Sequence, residues 1–333
     1  MRRWTARVIA ALLLVGQPEP ALAHLKFGVT IGGRQITLKW ADSPVRYAVS
    51  TQGATDVSVA DFQAAVGRAF TTWQAVSSST VTYQFGGFTA ALPGRDDGLS
   101  TLGFERRPEL DRVLAATSFL VDRTTGALVE SDIFFNTAFP WSVAQGGVAE
   151  RFDLESVALH EIGHMSGLGH SALGETEARE GGGRRVLAAE AVMFPIAFAP
   201  GSVAARTLKA DDIAGITDLY PEAESTSTAG SISGRVTKDG QPLFGAHVVA
   251  FNVASGASIG SFTLGSDGRF SVGSLSPGIY VLRVEPLDDA EIDSFFDTSR
   301  TVDLDFRVTF SDRAVVVPRA GDSGEIGVQV ARK

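Results

Sequence analysis

The chain of 333 residues contains no cysteine and carries a formal net charge of -9, with a pI near 5.1. A protein this acidic is a poor ligand for nucleic acid and for anionic membranes, so neither partner is expected. Without cysteine the chain forms no disulfide, and a domain of the size predicted below buries enough apolar surface to fold without one.

The amino terminus has the pattern of an export signal. Arginines at positions 2, 3 and 7 precede an apolar run over residues 8–15, and Ala21-Leu22-Ala23 supplies small residues at the cleavage positions. This pattern predicts a signal peptide over residues 1–23 and a mature protein that is secreted, extracellular or periplasmic. The paired arginines leave twin-arginine export open, although Sec export is favoured. No segment is long and apolar enough to span a bilayer, which takes ~20 residues, so no integral membrane association is expected.

Residues 61–76 are predicted to form an amphipathic helix. Their apolar side chains recur at intervals of three and four residues. The positions are Phe62, Ala65, Val66, Ala69, Phe70 and Trp73.

Three acidic residues beyond this helix raise the question of a calcium ion. Asp122, Glu130 and Asp132 flank a turn at Gly126, and carboxylate oxygens are the ligands that a hard cation prefers. Ca²⁺ is therefore a possible second cofactor. The spacing matches no calcium-binding loop, and solvated loop carboxylates are the favoured interpretation.

Residues 160–170 have the sequence H-E-x-x-H-x-x-G-x-x-H, which is a zinc-protease signature. A helix capped by Asp153 would present His160 and His164 on one face, so that both imidazoles reach one metal ion. Gly167 would then permit a left-handed turn that returns the chain and brings His170 in as a third ligand. Three histidine ligands leave one coordination position of the zinc open.

The open position predicts catalysis, because a structural zinc site would be closed. In this interpretation a zinc-activated water attacks a peptide carbonyl, with Glu161 as the general base that later protonates the leaving amine. The predicted function is a zinc metalloendopeptidase with one catalytic zinc ion and protein or peptide substrates. A metal-free histidine helix is the alternative, but the added glycine and histidine fall at the required offsets, and the motif uses three of the five histidines.

Residues 171–190 follow the third histidine as a polar segment with glycines at 181–183. A glycine-hinged surface excursion and a short charged helix are equally compatible with this composition. We expect a segment of this length beside the site to influence the access of folded substrates.

The motif resembles the matrixin branch of the metzincin zinc proteases. Residues 191–195 read Ala-Val-Met-Phe-Pro and resemble the Met-turn of that family, which implies that Met193 lies beneath the zinc ligands. Without this context Met193 would be interpreted as a core residue that fills a gap. The residues after Met193 are implied to shape an apolar pocket for the side chain that follows the scissile bond.

The resemblance extends to both sides of the motif and implies an α+β fold, with a zincin-type catalytic domain over residues 24–222. Lys39-Trp40 and residues 45–49 resemble the first strand of the family. Residues 208–220 resemble its last catalytic helix, in which one aspartate of the pair Asp211-Asp212 supports the Met-turn. An ordinary capped amphipathic helix is the alternative interpretation of that segment.

Two features of vertebrate matrixins are missing. Their second, structural zinc needs three histidines, whereas this chain has only His24 and His247 outside the motif. Their propeptide cysteine, which blocks the catalytic zinc, has no counterpart in a chain without cysteine. Neither a second zinc nor cysteine-switch latency is therefore expected.

A second domain is predicted after a change in composition. Residues 223–230 are small and polar and are expected to form a flexible linker. Residues 231–333 then alternate with the period of strands between turns at Asp239-Gly240, Asp267-Gly268 and Pro277-Gly278, which predicts an all-β, antiparallel sandwich. Residues 231–287 resemble carboxypeptidase-regulatory-like, transthyretin-like domains, whose expected role here is support, attachment or substrate contact. His247 is interpreted as a structural histidine.

Two other functions stay open at this point. One is a secreted binding protein with a non-catalytic zincin fold, and the other is a structural surface module centred on the sandwich. The break at the linker further predicts that residues 24–224 fold and cleave peptides alone. The sequence does not indicate the physiological substrate or the oligomeric state.

Overall fold

The computed structural model describes residues 6–9, 26–31, 34–122, 124–180, 182–296 and 301–333. Of the predicted signal peptide only Ala6–Ile9 is described, and the rest of residues 1–23 lies outside the described residues, as does His24. Within the described part of the chain, no helix has both the length and the apolar character that a membrane crossing needs.

The amino-terminal half begins with strands and contains three helices of ten residues or more among the described residues. Its elements, in chain order, are β1 (Ala6–Ile9), β2 (Gly28–Ile31), β3 (Arg34–Thr37), β4 (Lys39–Trp40), β5 (Val45–Ser50), α1 (Val59–Gln74), β6 (Tyr83–Thr89), β7 (Thr101–Glu105), β8 (Ala115–Val121), β9 (Ala127–Asn136), β10 (Trp141–Ser142), β11 (Phe152–Asp153), α2 (Leu154–Met165), β12 (Gly174–Ala178), β13 (Arg184–Ala189) and α3 (Ala210–Leu219).

A seven-stranded sheet organises this half, in the order β1-β8-β9-β7-β5-β6, with β4 beside β9. Strands β5, β6, β7 and β9 are parallel, whereas β8 runs antiparallel to β9. Helices α1 and α2 share one apolar core with the sheet, and the Trp73 indole donates a hydrogen bond of 2.8 Å to the carbonyl of Leu159. The predicted first helix is present two residues earlier than expected, because Ser58 caps it by accepting from the N–H of Asp61.

The carboxy-terminal half is a sandwich of two sheets. Its elements are α4 (Ala223–Thr228), β14 (Gly230–Lys238), β15 (Gln241–Pro242), β16 (His247–Asn252), β17 (Ser258–Phe262), β18 (Arg269–Leu275), β19 (Gly278–Glu285), a 3₁₀ helix (Ile292–Ser294), β20 (Thr309–Phe310), β21 (Val315–Val317) and β22 (Asp322–Val330). One sheet has the order β15-β14-β18 with β22 beside β14, and the other β17-β16-β19-β20 with β21 beside β19. The fold is therefore an α+β domain followed by a β-rich domain, as the sequence predicted.

The expectation of a wholly antiparallel sandwich is wrong for one pair, because β22 runs parallel to β14. A hairpin would impose antiparallel pairing, but β22 is reached from β21 in the opposite sheet through residues 318–321. The tail of the chain thus belongs to the same sandwich.

Two connecting segments differ from their predictions. Residues 223–228, predicted as part of a flexible linker, form helix α4, and the hydroxyl of Ser225 donates 3.1 Å to the carbonyl of Ser78. Residues 174–178 and 184–189 pair as the antiparallel strands β12 and β13, so the charged-helix alternative is wrong. Gly182 and Gly183 adopt φ of 98° and 80°, conformations that glycine accepts without strain and that a helix does not use.

Candidate metal centre

Helix α2 places the first two histidines of the motif. Asp153 caps it as expected, with its carboxylate 3.0 Å from the N–H of Ser156, and is itself held by an ion pair with Arg206. His160 and His164 then stand one turn apart, with ring centroids 4.7 Å from each other. The predicted helix and the predicted shared face are both present.

The chain reverses directly after α2. Gly167 has a φ of 104°, and a Cβ at this position would run into the carbonyl oxygen of Leu38. Both observations restrict the position to glycine. The reversal brings the His170 ring to 4.7 Å from the ring of His164 and 5.4 Å from that of His160.

The three imidazoles present one nitrogen each to a common point. Their candidate ligand atoms all lie within 4.8 Å of one another, and the Nε2 atoms of His164 and His170 are 3.2 Å apart. Among the described residues this is the only such group of three or more histidine or acidic side chains. A triad of this size and donor type fits one zinc ion.

The second nitrogen of every ring faces a backbone carbonyl. The Nδ1 atoms of His160, His164 and His170 lie 2.7, 2.8 and 2.7 Å from the carbonyl oxygens of Val192, Leu168 and Ser294 respectively. Because a carbonyl can only accept, each Nδ1 carries the proton and each Nε2 keeps its lone pair for a metal.

Burial keeps these rings neutral. It lowers the pKa of His160 to about 3, with the charge of His170 as a further cause and the Val192 carbonyl opposing the shift. Burial also lowers the pKa of His164 well below the ordinary value and lowers that of His170. Neutral imidazoles are the form that binds a metal ion.

Glu161 is buried next to the histidines. Its Oε2 accepts a hydrogen bond of 2.6 Å from the hydroxyl of Thr117 on strand β8. Burial raises the pKa of Glu161 to about 7, and the Thr117 hydroxyl partly offsets this effect. A carboxyl group with a pKa near neutrality can both accept and release a proton.

The Met-turn, residues 191–195, lies under α2. A Cβ at Gly163, between the first two histidines, would collide with the sulfur of Met193, so the sulfur lies against the helix backbone there. Asp212 of α3 accepts hydrogen bonds from the N–H groups of Val192 at 2.8 Å and Met193 at 3.1 Å. These contacts are the ones that the family resemblance implied for Met193 and for the aspartate pair.

A cleft of about 390 Å³ opens beside the triad. Strand β8 forms one wall and the residues after the Met-turn form the other. Its lining is mainly apolar away from the histidines and Glu161, and includes Leu114, Ala116, Val157, Val192, Ile196 and Phe198. The cleft can hold an extended chain with an apolar side chain beside the candidate metal position.

The acids considered for calcium do not converge with one another in a metal-binding group among the described residues. Asp132 instead accepts from the N–H groups of Gly94, Arg95 and Thr101, and Glu130 accepts from that of Gly98. Asp122 accepts from the N–H groups of the adjacent turn. These contacts give Glu130 and Asp132 a role in holding residues 94–101 against β9.

His247 lies in the sandwich domain, as a buried residue whose Nδ1 is 3.0 Å from a carboxylate oxygen of Glu285. It is not part of the histidine triad. This arrangement agrees with the structural interpretation.

Two contributors to the site were not predicted. Thr117 is 44 residues from Glu161 in the chain, and no motif marks it. Ser294 is 124 residues from His170 and contributes a backbone carbonyl, which any residue type can present.

Comparison with known proteins gives two family matches. The matrixin family model matches residues 39–178, and that of the carboxypeptidase regulatory-like domain matches residues 231–309. Among curated proteins, Metalloendoproteinase 5-MMP of Arabidopsis thaliana is 36% identical over 109 residues, covering 27% of this chain and 26% of that protein. Metalloendoproteinase 1 of Glycine max is 42% identical over 82 residues, covering 23% of this chain and 20% of that protein.

A longer alignment is found with Metalloendoproteinase 1-MMP of Arabidopsis thaliana, 28% identical over 200 residues, covering 55% of this chain and 44% of that protein. The chain therefore spans less than half the length of each of these relatives. The Bacillus anthracis TIE protein, a solved structure, aligns with 15% identity and a TM-score of 0.21 over 32% of this chain and 17% of that chain.

Proposed function

We propose that this chain, which carries a matrixin domain and a carboxypeptidase regulatory-like domain, is a zinc-dependent endopeptidase. The proposal is carried by the convergence of one ring nitrogen from each of three histidines, with the buried carboxylate of Glu161 from helix α2 beside them. The matches to metalloendoproteinases support a metalloprotease at modest identity and coverage.

Bound zinc would supply a Lewis acid for the peptide carbonyl and would make water easier to deprotonate. His160, His164 and His170 would hold it, since their Nδ1 protons are already engaged by carbonyls. Glu161 takes the proton of the attacking water and returns it to the leaving amine, as its pKa near 7 permits. Thr117 holds the Glu161 carboxylate in place during both transfers.

The substrate is proposed to bind as an extended strand along β8. Among the described elements, β1 pairs with β8 only at residues 118–121, and β9 alone pairs with residues 115–117. The side of residues 115–117 that faces away from β9 can therefore pair with a peptide backbone. The apolar residues after the Met-turn, Ile196 and Phe198, would receive the side chain that follows the scissile bond.

The test is Glu161→Gln, assayed on casein and on a small quenched-fluorescence peptide. We expect turnover to fall by roughly 10²- to 10⁴-fold while one zinc per chain is retained, because the base is lost and the ligands remain. Glu155→Gln is the matched control, since Glu155 lies on the same helix but pairs with Arg68. Wild-type turnover in Glu161→Gln would refute the mechanism, and inactivity of the zinc-loaded wild-type chain on both substrates would favour the non-catalytic binding protein.

Export of the protein is also proposed, on the pattern of residues 1–23 alone. Expression of the full chain followed by amino-terminal sequencing of the mature form tests it. Cleavage near Ala23 is expected, and a protein retained in the cytoplasm with residues 1–23 intact would contradict it.

A further inference from the structure

The hydrogen-bond acceptor of the third histidine comes from the other domain. Val192 and Leu168, which face His160 and His164, belong to the matrixin-type half, but Ser294 lies in the 3₁₀ helix of the sandwich half. The segment that carries it, residues 286–296, connects β19 toward β20 and is named here the docking loop. His160 and His164 are thus oriented from within their own domain, whereas His170 is oriented from the other domain.

Apolar contacts seat the docking loop against the metal centre. Phe295, next to Ser294, is buried, with its ring 6.4 Å from that of His170 and 5.7 Å from that of Phe262. Phe295 also shares an apolar cluster with Ala172 and with Phe194 of the Met-turn. The cluster therefore joins both domains directly behind His170.

The hairpin β12–β13 holds the other end of the docking loop by hydrogen bonds. Thr176 donates through its N–H to the Asp289 carboxylate at 2.7 Å and through its hydroxyl to the Asp289 carbonyl at 2.6 Å. Arg184 donates to the Asp288 carbonyl at 2.7 Å and to the Thr176 hydroxyl at 2.7 Å. The neighbouring Arg185 has a different role, because it pairs with Glu177 within the hairpin.

We propose that the sandwich domain is a structural part of the metal centre: the docking loop, clamped by Thr176 and Arg184, fixes His170 as a metal ligand through the carbonyl of Ser294. The physical reason is that the partner of the second ring nitrogen sets the tautomer and the orientation of a ligating imidazole. This inference rests on the proposed function, since it concerns the same zinc.

These contacts bear on two expectations drawn from the sequence. Residues 24–224 would lack the acceptor for His170 and would expose the apolar cluster around Phe194, so we expect them to bind zinc less well than the full chain does. The segment of residues 171–190, expected to influence the access of folded substrates, also contacts the docking loop through Thr176 and Arg184.

The test uses the full chain carrying Thr176→Val and Arg184→Ala together. Zinc affinity is measured by competition with a chromophoric chelator, and the exchange of the three imidazole Nδ1 protons is followed by NMR. We expect zinc affinity to fall by about tenfold, as for other groups that orient metal ligands, and the His170 proton alone to exchange faster. The protons of His160 and His164 are internal controls, because their acceptors are untouched.

Two further variants complete the design. Arg185→Ala should bind zinc as wild type does. Thr176→Ser alone, which keeps the hydroxyl donor and leaves Arg184 in place, should also bind zinc as tightly as wild type. The proposal is overturned if the double variant binds zinc as tightly as wild type. It is equally overturned if affinity falls while the His170 proton exchanges no faster than before, since that result indicates general destabilisation. If the wild-type chain itself binds no zinc, the proposed function fails, and the proton exchange still tests the contact.

Discussion

Asp212 offers a quantitative test of how the Met-turn is supported. Its Oδ2 accepts from the N–H groups of Val192 and Lys209, both at 2.8 Å, and its Oδ1 accepts from that of Met193 at 3.1 Å. Replacement by asparagine keeps the shape but exchanges one acceptor oxygen for an N–H₂ group. With the amide oxygen toward Val192 and Lys209, the Met193 N–H loses its acceptor and faces another donor.

A buried donor left without a partner costs about 1–3 kcal/mol, so we expect Asp212→Asn to lower the free energy of unfolding by about 2 kcal/mol. The flipped amide would leave two donors unpaired and cost more. Zinc affinity should fall as well, because the Val192 carbonyl orients His160.

The assay is urea unfolding of metal-free protein at pH 8. Burial raises the pKa of Asp212 to about 7, so a pH above that value is needed for its carboxylate to be ionised. Asp239→Asn is the control, an exposed carboxylate paired with Arg332 at 3.1 Å, and should change stability by less than about 0.5 kcal/mol. If Asp212→Asn unfolds at the same urea concentration as wild type, the carboxylate is not what holds the Met-turn.

Three other variants test separate contacts. Gly163→Ala should lower the free energy of unfolding by about 1–3 kcal/mol and weaken zinc binding, because the new methyl group displaces the Met193 sulfur. An unchanged melting temperature would contradict that packing. Thr117→Val should lower kcat about tenfold with zinc content unchanged, since the hydroxyl that positions Glu161 is lost; full kcat would remove Thr117 from the mechanism. Glu130→Gln tests pH dependence. Burial raises the pKa of Glu130 from 4.5 to about 7, so the folded state binds the proton more tightly than the unfolded state does. The stability that Glu130 contributes is therefore fully present below pH 4.5 and is lost as pH rises through 7. The variant should therefore gain stability relative to wild type as pH rises from 4.5 to 8. A difference in the free energy of unfolding by urea that stays the same at every pH would contradict the raised pKa of Glu130.

The parts of the site that follow from local geometry could be predicted from the sequence. The spacing of His160 and His164 is that of one helical turn, and Gly167 marks the reversal that returns His170. The Met-turn required the family resemblance, because nothing about a lone methionine indicates its position.

The parts that depend on distant contacts could not be predicted. Ser294 acts through its backbone, so its side chain carries no signal. The composition of residues 223–230 indicated flexibility, but helix α4 forms there and is anchored to Ser78 by Ser225. The parallel pairing of β22 with β14 likewise depends on how the two sheets stack, which alternation of apolar residues does not encode.

We propose that one zinc ion, held by the three histidines, makes this chain a peptidase. The most direct measurement is a titration of metal-free, full-length protein with zinc, following casein hydrolysis. We expect no hydrolysis without metal and a linear rise in hydrolysis that saturates at one zinc per chain, because the described residues contain one triad of this kind. Full activity in the metal-free protein, or no activity once one equivalent is bound, would contradict it.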